Sequence, residues 1–302
     1  MVKREIYSPI PYTGGKGNLV SKLLKYVPKH KYYIEPFGGS AELLFAKKPA
    51  EFEVYNDKWS IIVNFFRVLR DKKKFEEFYR KVIFTPYSRE EYNNSKQILK
   101  SYMKGEIQLT DVDLAYHLFI NLRQSFAGRL FGSWGYCVTN IRRKMPNTVS
   151  KYLFAIENLP EIHERLIRVQ IENLDWKDCL EKYSGYDFNE EFIYLDPPYL
   201  PETRRSKKDY ICEMSYEDHE ELIEYLIAEE RRVMLSGYDN KLYEKLEKHG
   251  FKKIKWNVGC NAVGRTRQTG LLGEGVTFEK NQRREECIWI NYELHIPLTK
   301  YF

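Results

Sequence analysis

"FIYLDPPYLP", residues 192–201, decides how the rest of the chain is read. The apolar run 192–195 reads as a buried strand and stops at Asp196. Pro197 and Pro198 then fix φ and remove two N–H donors, while their carbonyls remain as acceptors. Tyr199 adds a flat ring. A carboxylate beside a stiff carbonyl suits a group with two N–H bonds, such as an exocyclic amine, and the ring suits stacking on a heterocycle. That chemistry needs neither a metal nor a covalent nucleophile. A proline-rich turn capping a strand would account for the prolines but not for Asp196 or Tyr199.

Working outward, the flanks alternate between strand and helix patterns. Residues 32–35 read as a strand running into Glu35-Pro36-Phe37-Gly38-Gly39-Ser40 and a helical 41–48. A second strand, 51–55, ends at Asn56-Asp57. Ligands of open α/β sheets bind at the carboxyl ends of strands. Glycines there allow close backbone approach, and the following helix offers N–H groups. The turn lacks GxGxxG spacing, and glycine in such turns also has a purely structural use. Asp57 lies about 20 residues beyond it, where an acidic residue bonds ribose hydroxyls in nucleotide-binding βαβ units; it also suits a helix N-cap. Tyr12-Thr13-Gly14-Gly15-Lys16 is a turn with a cation but not a Walker A loop, which argues against an NTPase.

The middle differs in kind. Residues 61–70, 74–83 and 113–122 show apolar positions at three- and four-residue spacing, a helical pattern. Residues 123–150 break it with glycines, aromatics and Arg123, Arg129, Arg142, Arg143 and Lys144, and hold no acidic residue, so a loop or hairpin is expected. Between residues 58 and 170 stand 20 Lys+Arg against 11 Asp+Glu. Such a basic segment suits a polyanion, or else forms a solvated helical surface. A helix then runs to about Leu166. Strands follow at 167–171, 192–195, 232–236, 251–258 and 287–292, with helices at 215–228, capped by Ser215, and at 240–248. A basic, glycine-rich loop spans 259–284. The expected fold is α/β: a mainly parallel sheet split by an inserted, mostly helical region.

Composition narrows the class. With 43% hydrophobic and 30% charged residues, the 302-residue chain reads as a soluble globular protein. No apolar stretch is long enough to span a bilayer, and residues 1–12 hold no apolar core of a signal, so neither a secretory signal nor a membrane role is expected. Five single cysteines without CxxC spacing and six dispersed histidines suggest no disulfide framework and no metal. A reducing cytoplasm fits.

Taken together and in this order, these motifs resemble the Dam-type, D12 class DNA adenine N6-methyltransferases, particularly phage and prophage members. Tyr12–Lys16 is similar to the family's [W/Y]xGGK motif, residues 35–40 to its EPFxGxG loop, and Asp196-Pro197-Pro198-Tyr199 to its DPPY motif. INLRQSFAG, 120–128, is similar to the segment that opens its DNA-contacting hairpin, and REECIWINY, 284–292, to a late strand. The resemblance implies a Rossmann-like S-adenosylmethionine-dependent fold, with a catalytic domain of 1–58 and 169–302 and a target-recognition domain of 59–168. The methyl donor is expected along Tyr12, Lys16, Glu35, Pro36, Phe37, Gly38, Ser40, Asp57 and Asp196, with Asp175 and Trp176 near its adenine. Asp196 and the Pro197 carbonyl are expected to accept the amino hydrogens of a flipped adenine, with Pro198 stiffening the turn and Tyr199 stacking on the base.

Double-stranded DNA is the implied partner. Arg123, Arg129, Arg142, Arg143 and Lys144 are expected on phosphates or guanine edges, with Arg265, Arg267, Arg283 and Arg284 as a later clamp. Phe126 is the candidate wedge; Phe131, Trp134 and Tyr136 either share that role or pack the hairpin. A monomer is expected, and a cognate restriction endonuclease remains an open partner. Tyr12 stands where several relatives have Trp, and the hairpin differs from GATC-methylating members, so the target sequence stays open. The rival readings are a methyltransferase of RNA or protein amides, and a silent DNA-binding homologue.

Overall fold

A computed structural model describes residues 5–12, 15–17, 19–185, 187–203, 211–259 and 283–294. The chain divides into two compact units, residues 1–191 and 192–302. The fold is mixed α/β with mostly parallel strands.

The first unit begins with α1 (Val20–Leu23), β1 (Tyr32–Glu35), α2 (Glu42–Ala46) and β2 (Phe52–Asn56). Four helices follow: α3 (Ser60–Arg70), α4 (Lys72–Ile83), α5 (Arg89–Met103) and α6 (Asp111–Gln124). A two-stranded hairpin, β3 (Ile141–Arg142) and β4 (Met145–Pro146), leads into α7 (Asn147–Glu157) and α8 (Leu159–Leu166). The unit closes with β5 (Gln170–Glu172) and α9 (Trp176–Lys182). Strand β2 pairs in parallel with β1 and with β5; Ile34 faces Val54 and Tyr55 faces Ile171. The whole helical stretch α3–α8 therefore lies in one crossover between neighbouring strands. Parallel strands end on the same side, so the residues after β1, β2 and β5 emerge together.

Helix starts follow local chemistry. Asp71, Ser88, Thr110 and Asp175 each accept a backbone N–H of the helix they precede. Helix α6 is buried nearly all round and packs on α3, α4 and α5, as a helix apolar on every side must. Residues 17–28, whose amphipathic spacing after a glycine turn suggests a short helix, hold only α1 plus short i→i+3 turns at Lys25 and Tyr26. The strand expected from Ile167 starts at Gln170, because Ile167 still donates to His163 as the C-cap of α8. Helix α5 falls within the helical stretch that runs from Trp59 to Leu122 in the sequence, whereas α9 has no counterpart there.

An ionic cluster lies beneath β2. Glu53 pairs with Lys47 at 2.5 Å and with Arg165 of α8, and accepts the Ala50 N–H at 3.0 Å. All three charged side chains are almost fully buried. Burial lowers the Lys47 pKa to about 8, with Glu53 opposing the drop. Burial would raise Glu53, but Lys47 and Arg165 outweigh it and hold the carboxyl low.

The second unit contains β6 (Glu191–Leu195), α10 (Tyr216–Ile227), β7 (Arg232–Tyr238), α11 (Glu244–Lys248), β8 (Lys252–Gly259) and β9 (Arg283–Ile290). Their order is β6-β7-β9-β8; β6 and β7 are parallel, and β9 runs antiparallel to both neighbours. Every residue of β6 is buried, as expected for a continuous apolar strand covered on both faces. Ser215 and Asp218 form a reciprocal capping box on α10. Helix α11 begins later than expected because Asn240 Oδ1 takes the Tyr243 N–H at 2.9 Å, making a side-chain turn first. No helix among the described residues is long and apolar enough to cross a membrane.

Candidate active site

In the first unit three strand ends meet around two glycines. A Cβ on Gly38 would stand 2.2 Å from the Tyr55 ring, so no side chain fits there. Gly39, at φ +48°, donates its N–H to Asp57 Oδ2 at 2.8 Å and receives the Tyr55 hydroxyl on its carbonyl at 2.8 Å. Asp57 Oδ1 accepts the Trp59 N–H at 2.8 Å. Burial pushes the Asp57 carboxyl up to about 6, against the pull of those two N–H bonds. Asn56 ties the loops together: Nδ2 donates to Pro36 and Leu174 carbonyls at 2.8 and 3.1 Å, and Oδ1 accepts the Leu174 N–H at 2.8 Å. Asn173 Nδ2 donates to the Asp57 carbonyl at 2.8 Å.

Around this knot stand the rings. Tyr12 reaches within 3.3 Å of where a Gly39 Cβ would be and lies 6.1 Å from the Trp59 ring. Phe37 and Trp176 are nearly parallel, with ring centres 6.4 Å apart. Asp175 caps α9 and pairs with Lys58 at 3.0 Å. Ser40 sits by Gly15, whose Cβ would come 3.3 Å from its Oγ. Lys16 is buried, and its carbonyl accepts the Leu19 and Val20 N–H groups at the start of α1. Glu35 is buried and accepts the Tyr33 hydroxyl at 2.9 Å. A close backbone approach, flat apolar faces and a carboxylate at the end of β2 suit a nucleoside-containing ligand.

In the second unit Asp196 is half-buried at the end of β6, with Pro197 buried and Pro198 half-buried. Tyr199 is only 4% exposed. Its hydroxyl donates to Glu286 at 2.9 Å, and its ring packs edge-on against Tyr238 at 4.5 Å. Tyr238 and Glu286 are themselves register partners on β7 and β9. The aromatic that ends the turn is thus fixed from two strands. The Tyr243 hydroxyl is raised above its usual range, chiefly by burial and further by the nearby Asp196 charge; it bonds His219 Nδ1 at 2.9 Å.

The basic segment of the first unit presents a different surface. Arg143 and Lys144 form the tip between β3 and β4, both at positive φ (54° and 60°). Two-residue hairpin tips favour Asn-Gly for that backbone, yet here both positions carry cations. Arg143 makes a two-point ion pair with Glu157, at 2.9 and 2.7 Å. Arg129, Arg142 and Lys144 are exposed. Phe126 is 38% and Tyr136 61% exposed, joined by Val138 and Ile141, both strongly exposed. Trp134 instead packs between Tyr87 and Tyr136, with Arg89 over its ring, and Lys100 lies over Phe131.

The sequence profile of the D12 class N6 adenine-specific DNA methyltransferases matches residues 12–259. The chain belongs to that family. It is 30% identical over 279 residues to the Type II methyltransferase M1.LlaDCHI of Lactococcus lactis, spanning 86% of this chain and 92% of the relative. It is 24% identical over 305 residues to the Type II methyltransferase M.MjaIII of Methanocaldococcus jannaschii, spanning 88% and 97%. The modification methylase StsI of Streptococcus sanguinis is 24% identical over 217 residues, covering 66% of this chain and 29% of that protein.

In this D12 methyltransferase with a Rossmann-like fold, Arg123 is half-buried and bonded to the N-terminal segment: Nε donates to the Pro9 carbonyl at 2.5 Å and Nη2 to the Ser8 carbonyl at 2.9 Å. Burial lowers its pKa to about 10, with Glu42 opposing. Several supporting residues were not singled out from sequence. Tyr55, Trp59 and Asn173 look like ordinary core or loop residues until strand register is known. Glu286 sits in a strand 87 residues from its partner Tyr199. Thr13, Gly14, Arg265 and Arg267 lie outside the described residues, as do the side chains of Arg283 and Arg284.

Proposed function

We propose that this D12 methyltransferase transfers a methyl group from S-adenosylmethionine to adenine N6 in double-stranded DNA, with the base flipped from the duplex. The observation that carries the reading is the Asp196-Pro197-Pro198-Tyr199 turn at the end of β6, stiffened by its prolines and pinned through Tyr199 to Glu286 and Tyr238. The donor, when bound, supplies an activated methyl on a positive sulfonium. Tyr12, Lys16, residues 35–40, Asp57, Asp175 and Trp176 hold and orient it, with Asp57 taking ribose hydroxyls. Asp196 Oδ and the Pro197 carbonyl accept the two amino hydrogens, which turns the nitrogen lone pair out of conjugation and toward the methyl. Asp196 acts as an acceptor rather than a strong base, since the proton can leave after the methyl arrives. Catalysis is then mainly alignment and electrostatics.

Residues 59–168 form the target-recognition part in this reading. Arg129, Arg142, Arg143 and Lys144 face the duplex, and Phe126 is the side chain that enters the gap left by the base. The relatives' Type II designation supports a site-specific enzyme of that class, working in the cytoplasm with a restriction endonuclease as the natural partner.

The experiment is to incubate the protein with labelled S-adenosylmethionine and separate DNA, RNA and protein pools, then map the modified base. Label is expected in DNA as N6-methyladenine. Label confined to RNA or protein would overturn the reading.

Asp57 gives a pH signature. Ribose hydroxyls bond the carboxylate form, so donor binding favours ionised Asp57 and weakens as pH falls through about 6. Affinity for S-adenosylhomocysteine, measured by calorimetry, should drop about fourfold from pH 7.5 to pH 5.5, a change expected to vanish in Asp57→Asn. Equal pH dependence in both proteins would remove Asp57 from the donor site.

A further inference from the structure

Residues 5–12 run as a strap between two functional regions of the first unit. At its start, Glu5 and Ile6 donate to the Ala46 and Phe45 carbonyls at the end of α2. Ser8 Oγ donates to the Ser40 carbonyl at 2.6 Å, on the glycine turn. Pro11 lies against Gly128, where a Cβ would come within 2.5 Å of it. Tyr12 then closes on Gly39 and Trp59.

Arg123 holds the middle of this strap. It stands on the last turn of α6, directly ahead of the turn that carries Phe126, Arg129 and Trp134. That turn is closed by Phe126 N–H to the Ser133 carbonyl at 2.7 Å and Gly135 N–H to the Gln124 carbonyl at 2.8 Å. Two donors of one rigid guanidinium on consecutive carbonyls fix both the place and the tilt of the strap, which a lysine cannot do. Ser8 therefore touches both sides at once: its hydroxyl bonds the glycine turn and its carbonyl bonds Arg123.

We infer that Arg123 is a positioning residue that makes donor binding at the Gly38–Asp57 knot and duplex binding at residues 126–144 reinforce each other through the strap. The inference rests on the donor site proposed above. Coupling between two sites is reciprocal, and its usual size is about 5- to 150-fold.

The test measures duplex affinity with and without saturating S-adenosylhomocysteine, using an oligonucleotide duplex that carries the methylated site mapped above. In the intact protein the analogue should tighten duplex binding at least about fivefold. Arg123→Ala should bring that factor close to one while leaving the salt dependence of duplex binding unchanged. Should Arg123→Ala not fold, Ser8→Ala removes the link to Ser40 and should reduce the same factor.

Three results would overturn the inference. An intact protein that binds both ligands without coupling would do so. A Ser8→Ala protein with unchanged coupling would do so. So would an Arg123→Ala protein that keeps the coupling but loses about one unit of salt slope, the mark of a lost phosphate contact. Failure of the intact protein to bind S-adenosylhomocysteine at all would instead bring down the donor site itself, and this inference with it.

Discussion

Asp196→Ala is expected to lower methyl transfer at least about 10³-fold, roughly 4 kcal/mol of lost transition-state stabilisation. The reason is that the amino nitrogen of adenine is a poor nucleophile while its lone pair stays conjugated with the ring. In our proposal the carboxylate at the end of β6 is one of only two acceptors that turn that lone pair outward, and no other group replaces it. Duplex affinity should stay within about twofold, because most DNA affinity comes from phosphate contacts. Asp196→Asn keeps the shape and one acceptor and should fall between. Single-turnover transfer and duplex binding, measured on the same preparations, separate these effects. Transfer by Asp196→Ala within tenfold of the parent would remove the carboxylate from the chemistry.

Glu53→Leu is expected to be the most destabilising single change in the first unit. It would strand two buried cations, Lys47 and Arg165, that share this one carboxylate. Breaking a buried pair by removing one partner costs about 3–5 kcal/mol. In a unit of this size that corresponds to a melting temperature lower by roughly 6–20 °C. The deficit should shrink as pH rises toward 8 and level off above it. Glu53 holds the buried Lys47 up at about 8, so without it Lys47 sheds its proton at lower pH. Over that range only the variant's unfolded state binds the extra proton, and only the variant gains stability with pH. Thermal melts of Glu53→Leu and Glu53→Gln across pH 7–9 check both the size and the sign. A Glu53→Leu protein as stable as the parent would mean that the cluster contributes nothing net.

The sequence was informative where one residue type admits one local answer. The run 192–195 followed by Asp196 and two prolines can be little other than a buried strand that stops at the carboxylate, and the structure has that strand, buried at every residue and ending at Leu195. The Ser215–Asp218 box marks its helix start in the same way. Asp57 beside the glycines was legible because parallel strands fix which ends meet. What could not be read needed register or distance. Glu286 becomes a partner of Tyr199 only once β9 lies beside β7. Arg123 reads as a surface cation in an arginine-rich stretch, but two carbonyls 114 and 115 residues earlier claim it. Trp134 and Tyr136 are neighbours in sequence pattern, yet one packs the turn and the other faces outward.

The anchoring of Tyr199 by Glu286 carries a consequence for how the protein comes alive in the cell. The loop that is to hold the target base leaves the ribosome well before the strand that pins it. A growing chain would therefore pass through a long stage with its donor-side half already made and its acceptor turn unbraced. Chains cut short before residue 286 should accordingly be silent on DNA, not merely slow.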